Sequence, residues 1–190
     1  MWPLFMTSVI SLAVVLERFF FIASARLARR PKTVEAILSS VEAGDINQAL
    51  QLGEDSGDYV ARTLTYGLKH RAESFSSALL AAANRELKKF NQGLSVLDTV
   101  ITLAPLLGLL ATVTGMIHAF GILGGRELDA PSVITGGIAE ALIGTAFGLG
   151  IAVVALIPFN YLNSRLEEAR HEIEDASTHL ELLLKSSRGK

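Results

Sequence analysis

Three long apolar runs alternate with stretches in which apolar residues recur every three or four positions. The first run goes from Trp2 to about Ala25; it is uncharged to Leu16, then carries Glu17 and Arg18 ahead of Phe19 to Ile22. The second covers about Val96 to Leu123 and the third about Val133 to Leu162, with Asp98 and Glu140 near their ends. A helix needs ~20 mostly apolar residues to cross a bilayer, so each run predicts a transmembrane helix.

The stretches between the runs read as helices of another kind. Pro31 breaks the chain after the first run, and Lys32 to Asp55 predicts two short helices joined at Gly44 and Asp45. Gly53 to Gly57 is the next loop. From Asp58 an apolar stripe follows through Leu64, Leu68, Phe75, Leu79, Ala82, Ala83, Leu87 and Phe90. Proline is absent until Pro105, so this helix is expected to continue unbroken into the second run, with Gly67 and Gly93 as its weak points. Beyond the third run, Leu166, Ala169, Ile173, Ala176, Leu180 and Leu184 form one apolar face, flanked by Arg165, Glu168, Glu172 and Asp175. That face marks a core or a subunit contact on a helix extending the third run. Strand patterns are absent. The expected fold is an all-α integral membrane protein, three transmembrane helices with long helical extensions.

Charge sets the orientation. The first run has its basic residues after it rather than before, the reverse of a signal peptide, so it reads as a retained helix. Arg26, Arg29, Arg30, Lys32, Lys88, Lys89, Arg165 and Arg170 flank the runs on one side, whereas Gly124 to Ser132 holds one basic residue, Arg126. Positive residues stay inside. The expected plan is transmembrane helices at residues 2–25, 96–123 and 133–162, a cytoplasmic helical domain at 26–95, a periplasmic loop at 124–132 and a cytoplasmic helix at 163–190. The N-terminus then faces outward and the C-terminus inward.

Composition narrows the chemistry. Half of the 190 residues are hydrophobic and 19% are charged, below the ~25% of soluble domains. Cysteine is absent and the net charge is −2, so neither thiol chemistry nor a nucleic-acid footprint is indicated. The glycines lie in membrane runs rather than in a phosphate-binding loop. His171 and His179 have no third ligand to complete a metal site. No Ser–His–Asp or HExxH pattern occurs. An enzyme and a cofactor are both unexpected.

The polar residues inside the runs are the candidates. Taking the second and third runs as an antiparallel hairpin, Thr112 and Thr145 come to similar depth at ~1.5 Å rise per residue. Small residues line both helices: Gly108, Ala111, Thr112, Gly115 and Ala119 on one, Gly137, Ala141, Gly144, Gly148 and Ala152 on the other. Such faces let helices approach closely. Each threonine either bonds back to a carbonyl one turn earlier or serves a polar path. Glu140 is costlier, ~2.5–3.5 kcal/mol at mid-membrane and less near the edge. It either marks an ion path or snorkels into the outer headgroups. His118 is a proton relay or a packed polar group, with packing favoured, and Glu17 with Arg18 reads as an interfacial ion pair.

The stretches "LAPLLGLLATVTGMIHAF" (103–120) and "GGIAEALIGTAFGL" (136–149) resemble the two signature spans of the MotA/TolQ/ExbB proton-channel family, and "LERFFFIASARLAR" at the end of the first run is also similar. The resemblance covers essentially the whole chain and is strongest to the ExbB branch, with TolQ close behind. It implies a homopentamer around the transmembrane helices of an ExbD-, TolR- or MotB-like partner dimer whose Asp carries protons. It further implies coupling to a TonB-like or TolA-like transducer in a bacterial inner membrane. Thr112 and Thr145 then match pore threonines facing that Asp, and Glu140 a pore-lining position near the outer entrance. Gly108, Ala111, Gly115, Gly144 and Gly148 fall on the packing or pore faces. Two departures stand out. Ala111 replaces a usual Gly, and Pro158 lies one turn later than the family's proline near Val154. The competing classes are a passive membrane scaffold and a small-solute carrier; the latter would want inverted repeats, which are not seen.

Overall fold

The structure is a computed structural model and describes residues 2–123 and 131–188. The expected loop at 124–132, with Arg126, falls almost wholly outside the described residues. Among the described residues seven helices follow in order: α1 Trp2–Ala28, α2 Pro31–Glu42, α3 Ile46–Glu54, α4 Tyr59–Lys69, α5 Arg71–Asn91, α6 Leu94–Leu123 and α7 Pro131–Arg188. The described residues are all-helical, and α1, α6 and α7 are each long and apolar enough to cross a membrane.

The chain divides into two compact units, Met1–Arg18 with Gly93–Leu162, and Phe19–Gln92 with Asn163–Lys190. The first is apolar on its outside. Phe5, Leu12, Leu109, Phe147, Val153 and Ile157 are exposed there, as befits helices whose backbone groups are satisfied internally and whose side chains meet lipid. Its buried positions include the small or weakly polar Thr7, Ser11, Ala104, Ala119, Ala141, Ala152 and Ala155 beside larger Leu4, Leu97 and Val100.

The second unit has a conventional core. Ile37 and Val41 of α2, Ala49 of α3, Val60, Leu64 and Leu68 of α4, Leu79 of α5, and Ile173 and Leu180 of α7 pack into one cluster. The apolar face of residues 166–184 is thus used within the chain. Local chemistry sets the ends of these helices. Pro31 opens α2 at a position where the missing N–H costs nothing. Gly44 takes φ +83 in the turn before α3, which glycine does without strain. Asp45 caps α3 by accepting from the Gln48 N–H at 2.9 Å.

The unbroken helix expected from Asp58 into the second apolar run does not form. It is interrupted at His70, at Ser74, whose φ/ψ of −159/92 is non-helical, and at Gln92 and Gly93. Gly93 has φ +78. The stripe misled because α4 and α5 fold against each other, so both arms turn apolar residues toward the same core. Gly67 permits the approach: a Cβ there would lie 2.5 Å from the Leu79 side chain. At the other end of the chain α7 runs through Pro158 as one helix of 58 residues.

Candidate functional site

The polar residues of the first unit are positioned by the packing of α6 on α7. Gly108 lies against Thr145 and Gly144, Ala111 against Gly144, Gly115 against Ala141, and Ala119 against Gly137. A Cβ added to Gly144 would sit 2.7 Å from the Ala111 Cβ, and one added to Gly148 would sit 2.5 Å from the Ala104 carbonyl oxygen. Gly108, Ala111, Gly115, Gly144 and Gly148 thus all lie at the α6–α7 contact. Ala111 fills the space opposite Gly144 rather than holding the helices apart.

This register fixes depth. Gly115 faces Ala141 and Ala119 faces Gly137, so in this antiparallel pair Thr145 is level with Ala111, and Thr112 lies one residue from it, about 1.5 Å in depth. Their hydroxyls do different things. Thr112 donates to the Leu109 carbonyl of its own helix at 2.7 Å. Thr145 donates across the interface to the Gly108 carbonyl at 2.9 Å. The latter bond is available because Gly108 has no side chain to cover that carbonyl.

Glu140 is not aligned with the threonines. It is exposed and lines a cavity of about 390 Å³ with Thr114, His118, Ala111, Gly115, Gly137 and Gly144, closed on one side by Pro3 and Leu4 of α1. His118 is exposed too rather than packed in a core. Asp98 is exposed near the start of α6. Glu17 pairs with Arg18. The stem of Arg18 is buried beside Gly93, where an added Cβ would come within 3.1 Å of the Arg18 Cδ.

Sequence reasoning missed an ionic network in the second unit. Asp58 is fully buried. One carboxylate oxygen caps α4, accepting from the Val60 and Ala61 N–H groups at 2.8 and 3.4 Å. The other accepts from the Arg29 guanidinium at 2.5 Å and the Arg30 N–H at 2.6 Å. Arg29 also donates to Glu172 at 2.8 Å, and the Tyr59 hydroxyl donates to the same carboxylate. Burial opposes the charge on Arg29, but the bonds to Asp58 and Glu172 outweigh it and raise its pKa. Burial first, and the Glu172 carboxylate second, push the Tyr59 phenol well above its usual range. Phe90 closes the group, 5.2 Å from the Tyr59 ring and 5.3 Å from the Phe21 ring. An aspartate directly before an apolar helix was a legible cap signal; its pairing with Arg29, 29 positions away, was not.

Residues 55–175 match the MotA/TolQ/ExbB proton channel family. An ExbB-like biopolymer transport protein of Synechocystis sp. is 35% identical over 192 residues, 96% of this chain and 74% of that protein. An ExbB homologue of Methanothermobacter thermautotrophicus is 28% identical over 166 residues, 84% of this chain and 57% of that protein. The Tol-Pal system protein TolQ of Haemophilus influenzae is 39% identical over 89 residues, 47% of this chain and 39% of that protein. With the family match spanning more than half of its length and three helices of membrane-crossing character, the chain belongs to the MotA/TolQ/ExbB proton channel family.

Proposed function

We propose that the chain is the pore-forming subunit of an ExbB-like motor driven by the proton-motive force in a bacterial inner membrane. Five copies surround a dimer of single-span, ExbD- or TolR-like partners. The partner's Asp carries the proton, and a TonB-like transducer passes the work to the outer membrane for biopolymer transport. The single observation that supports this reading is the α6–α7 register, in which Thr112 and Thr145 lie close in depth. Protonation of a partner Asp at that level removes its charge, and with it the cost of holding an ion away from water. The ring and its axle are then free to turn. Each proton crossing about 150 mV supplies roughly 3.5 kcal/mol. Glu140 lines the outer entrance. In this reading residues 26–95 and 163–190 are cytoplasmic, as their Lys and Arg residues favour.

A second reading has support of its own. Both threonine hydroxyls are already bonded to carbonyls, which suits a passive scaffold. Native mass spectrometry of the chain with its co-encoded single-span partner separates the two. A ring of five holding two Asp-bearing partners is the expected result, and the partner's type distinguishes an ExbB-like from a TolQ-like system. A monomer or dimer that takes up no such partner would leave only the scaffold.

A further inference from the structure

The cavity beside Glu140 holds a second titratable group. His118 and Glu140 both line this cavity of about 390 Å³, with Thr114 one turn earlier on α6. The α6–α7 register brings them close in depth. Gly115 faces Ala141 and Ala119 faces Gly137, so Glu140 is level with the residue after Gly115. His118 is two positions further toward the loop end of the hairpin, roughly 3 Å along the axis. Both side chains are exposed rather than packed. The rest of the wall is small or apolar, Pro3 and Leu4 from α1 included, and among the described residues Glu140 is the one acidic group in it. The volume holds several waters at ~30 Å³ each.

We infer that His118 and Glu140 form a two-step proton-loading site at the outer mouth of the path, an inference that rests on the pore reading. A proton from the outer aqueous phase, arriving as hydronium, is taken up by the imidazole and leaves water behind. The imidazolium N–H passes that proton to the Glu140 carboxylate, directly or through a cavity water. Imidazole and carboxylic acid are then both neutral, so the loaded pair carries no charge toward the apolar level of the threonines. Loss of the proton inward restores the carboxylate, and the next proton from outside restores the imidazolium. Imidazole is suited to the first step because it takes up and releases protons near neutral pH. His118 thus loads the path and Glu140 receives.

The test is proton flux through the chain reconstituted in vesicles with its Asp-bearing partner, measured against outer pH. His118→Gln keeps a polar group of similar reach but cannot carry a proton. Its flux is expected to fall about a hundredfold at neutral outer pH, the lower end of the scale of a lost general acid–base group, and to lose the pH dependence of the native complex near neutrality. His118→Glu, which can again exchange protons, should recover flux with a profile moved toward acid. A His118→Gln complex with native flux and an unchanged profile overturns the inference, as does a His118→Glu complex as inactive as His118→Gln. Thr145→Val is run in parallel. If it abolishes flux while His118→Gln leaves flux and profile untouched, the loading site fails and the pore stands. If the native complex conducts nothing, both fail.

Discussion

Thr145 spends its hydroxyl on the Gly108 carbonyl of the facing helix, at 2.9 Å. Thr112, close to it in depth, bonds within its own helix, at 2.7 Å to Leu109. The two threonines therefore differ in what their loss does to the fold. Thr145→Val is expected to weaken the α6–α7 contact by about 0.6–1.7 kcal/mol, the range for hydrogen bonds between membrane helices. Thr112→Val should leave stability nearly unchanged, and Thr145→Ser should stay close to the parent. Unfolding of the three variants in one detergent checks the order. Thr112→Val and Thr145→Val losing stability equally would contradict it.

The glycines of α7 make a sharper contrast. A Cβ at Gly148 meets the Ala104 carbonyl at 2.5 Å and the Gly108 Cα at 3.0 Å, both backbone atoms, whereas a Cβ at Gly150 meets nothing within 4 Å. Gly148→Ala forces the helices apart and should cost about 1–3 kcal/mol, the usual penalty of overpacking. Gly150→Ala should be neutral, or stabilising by up to about 1 kcal/mol through helix propensity. Thermal melting of the purified variants reads the difference.

Asp58 holds the end of α1 to the start of α4. Asp58→Ala removes the cap and strips Arg29 of its buried partner, leaving it with Glu172 alone. Loss of one member of a buried ion pair costs on the order of 3 kcal/mol. Amide hydrogen exchange in α4 and α2 should quicken, while exchange in α6 should hold. If the Arg29→Met, Asp58→Leu double variant is more stable than Asp58→Ala, the cost lies in the orphaned charge rather than in lost packing.

Tyr59 gives the second unit an alkaline limit. Its phenol is pushed up by burial and by the Glu172 carboxylate, so the folded value exceeds that of the unfolded chain. A raised folded value means the neutral phenol is favoured by folding. Its contribution is complete below the ordinary phenol value of about 10, and it is lost as pH climbs from there through the folded value. Ultraviolet titration should show one tyrosine of the three lagging the others, and Tyr59→Phe should remove the lagging step. The melting temperature of the native chain should fall more steeply above about pH 10 than that of Tyr59→Phe. Superposable curves would contradict the assignment.

Elements marked by local chemistry were legible in the chain. Runs of ~20 apolar residues specify helices that cross a bilayer whatever else they touch, and Pro31 and Gly44 dictate backbone geometry at their own positions. The family, too, was legible, because its signature lies in two unbroken stretches. The α4–α5 reversal was not. A stripe of period 3.6 continues equally well along a straight helix or through a fold-back whose two arms face one core, and only the contact of Leu79 with the space left by Gly67 decides between them.

Side-chain partnership was the other part the chain concealed. Thr112 and Thr145 looked equivalent in sequence because depth depends only on counting residues along a helix. Which hydroxyl reaches across the interface depends on which carbonyl is bare, and that is set by Gly108 on a different helix. Likewise Arg29, Asp58, Tyr59 and Glu172 carry no shared periodicity; they meet because Arg29 bridges the Asp58 and Glu172 carboxylates and Tyr59 donates to the second. The sequence by itself determined what each segment can be, since length, apolarity and breakers act within one segment. Tertiary structure alone decided what each polar atom bonds to, since that requires two segments to stop at the same point in space.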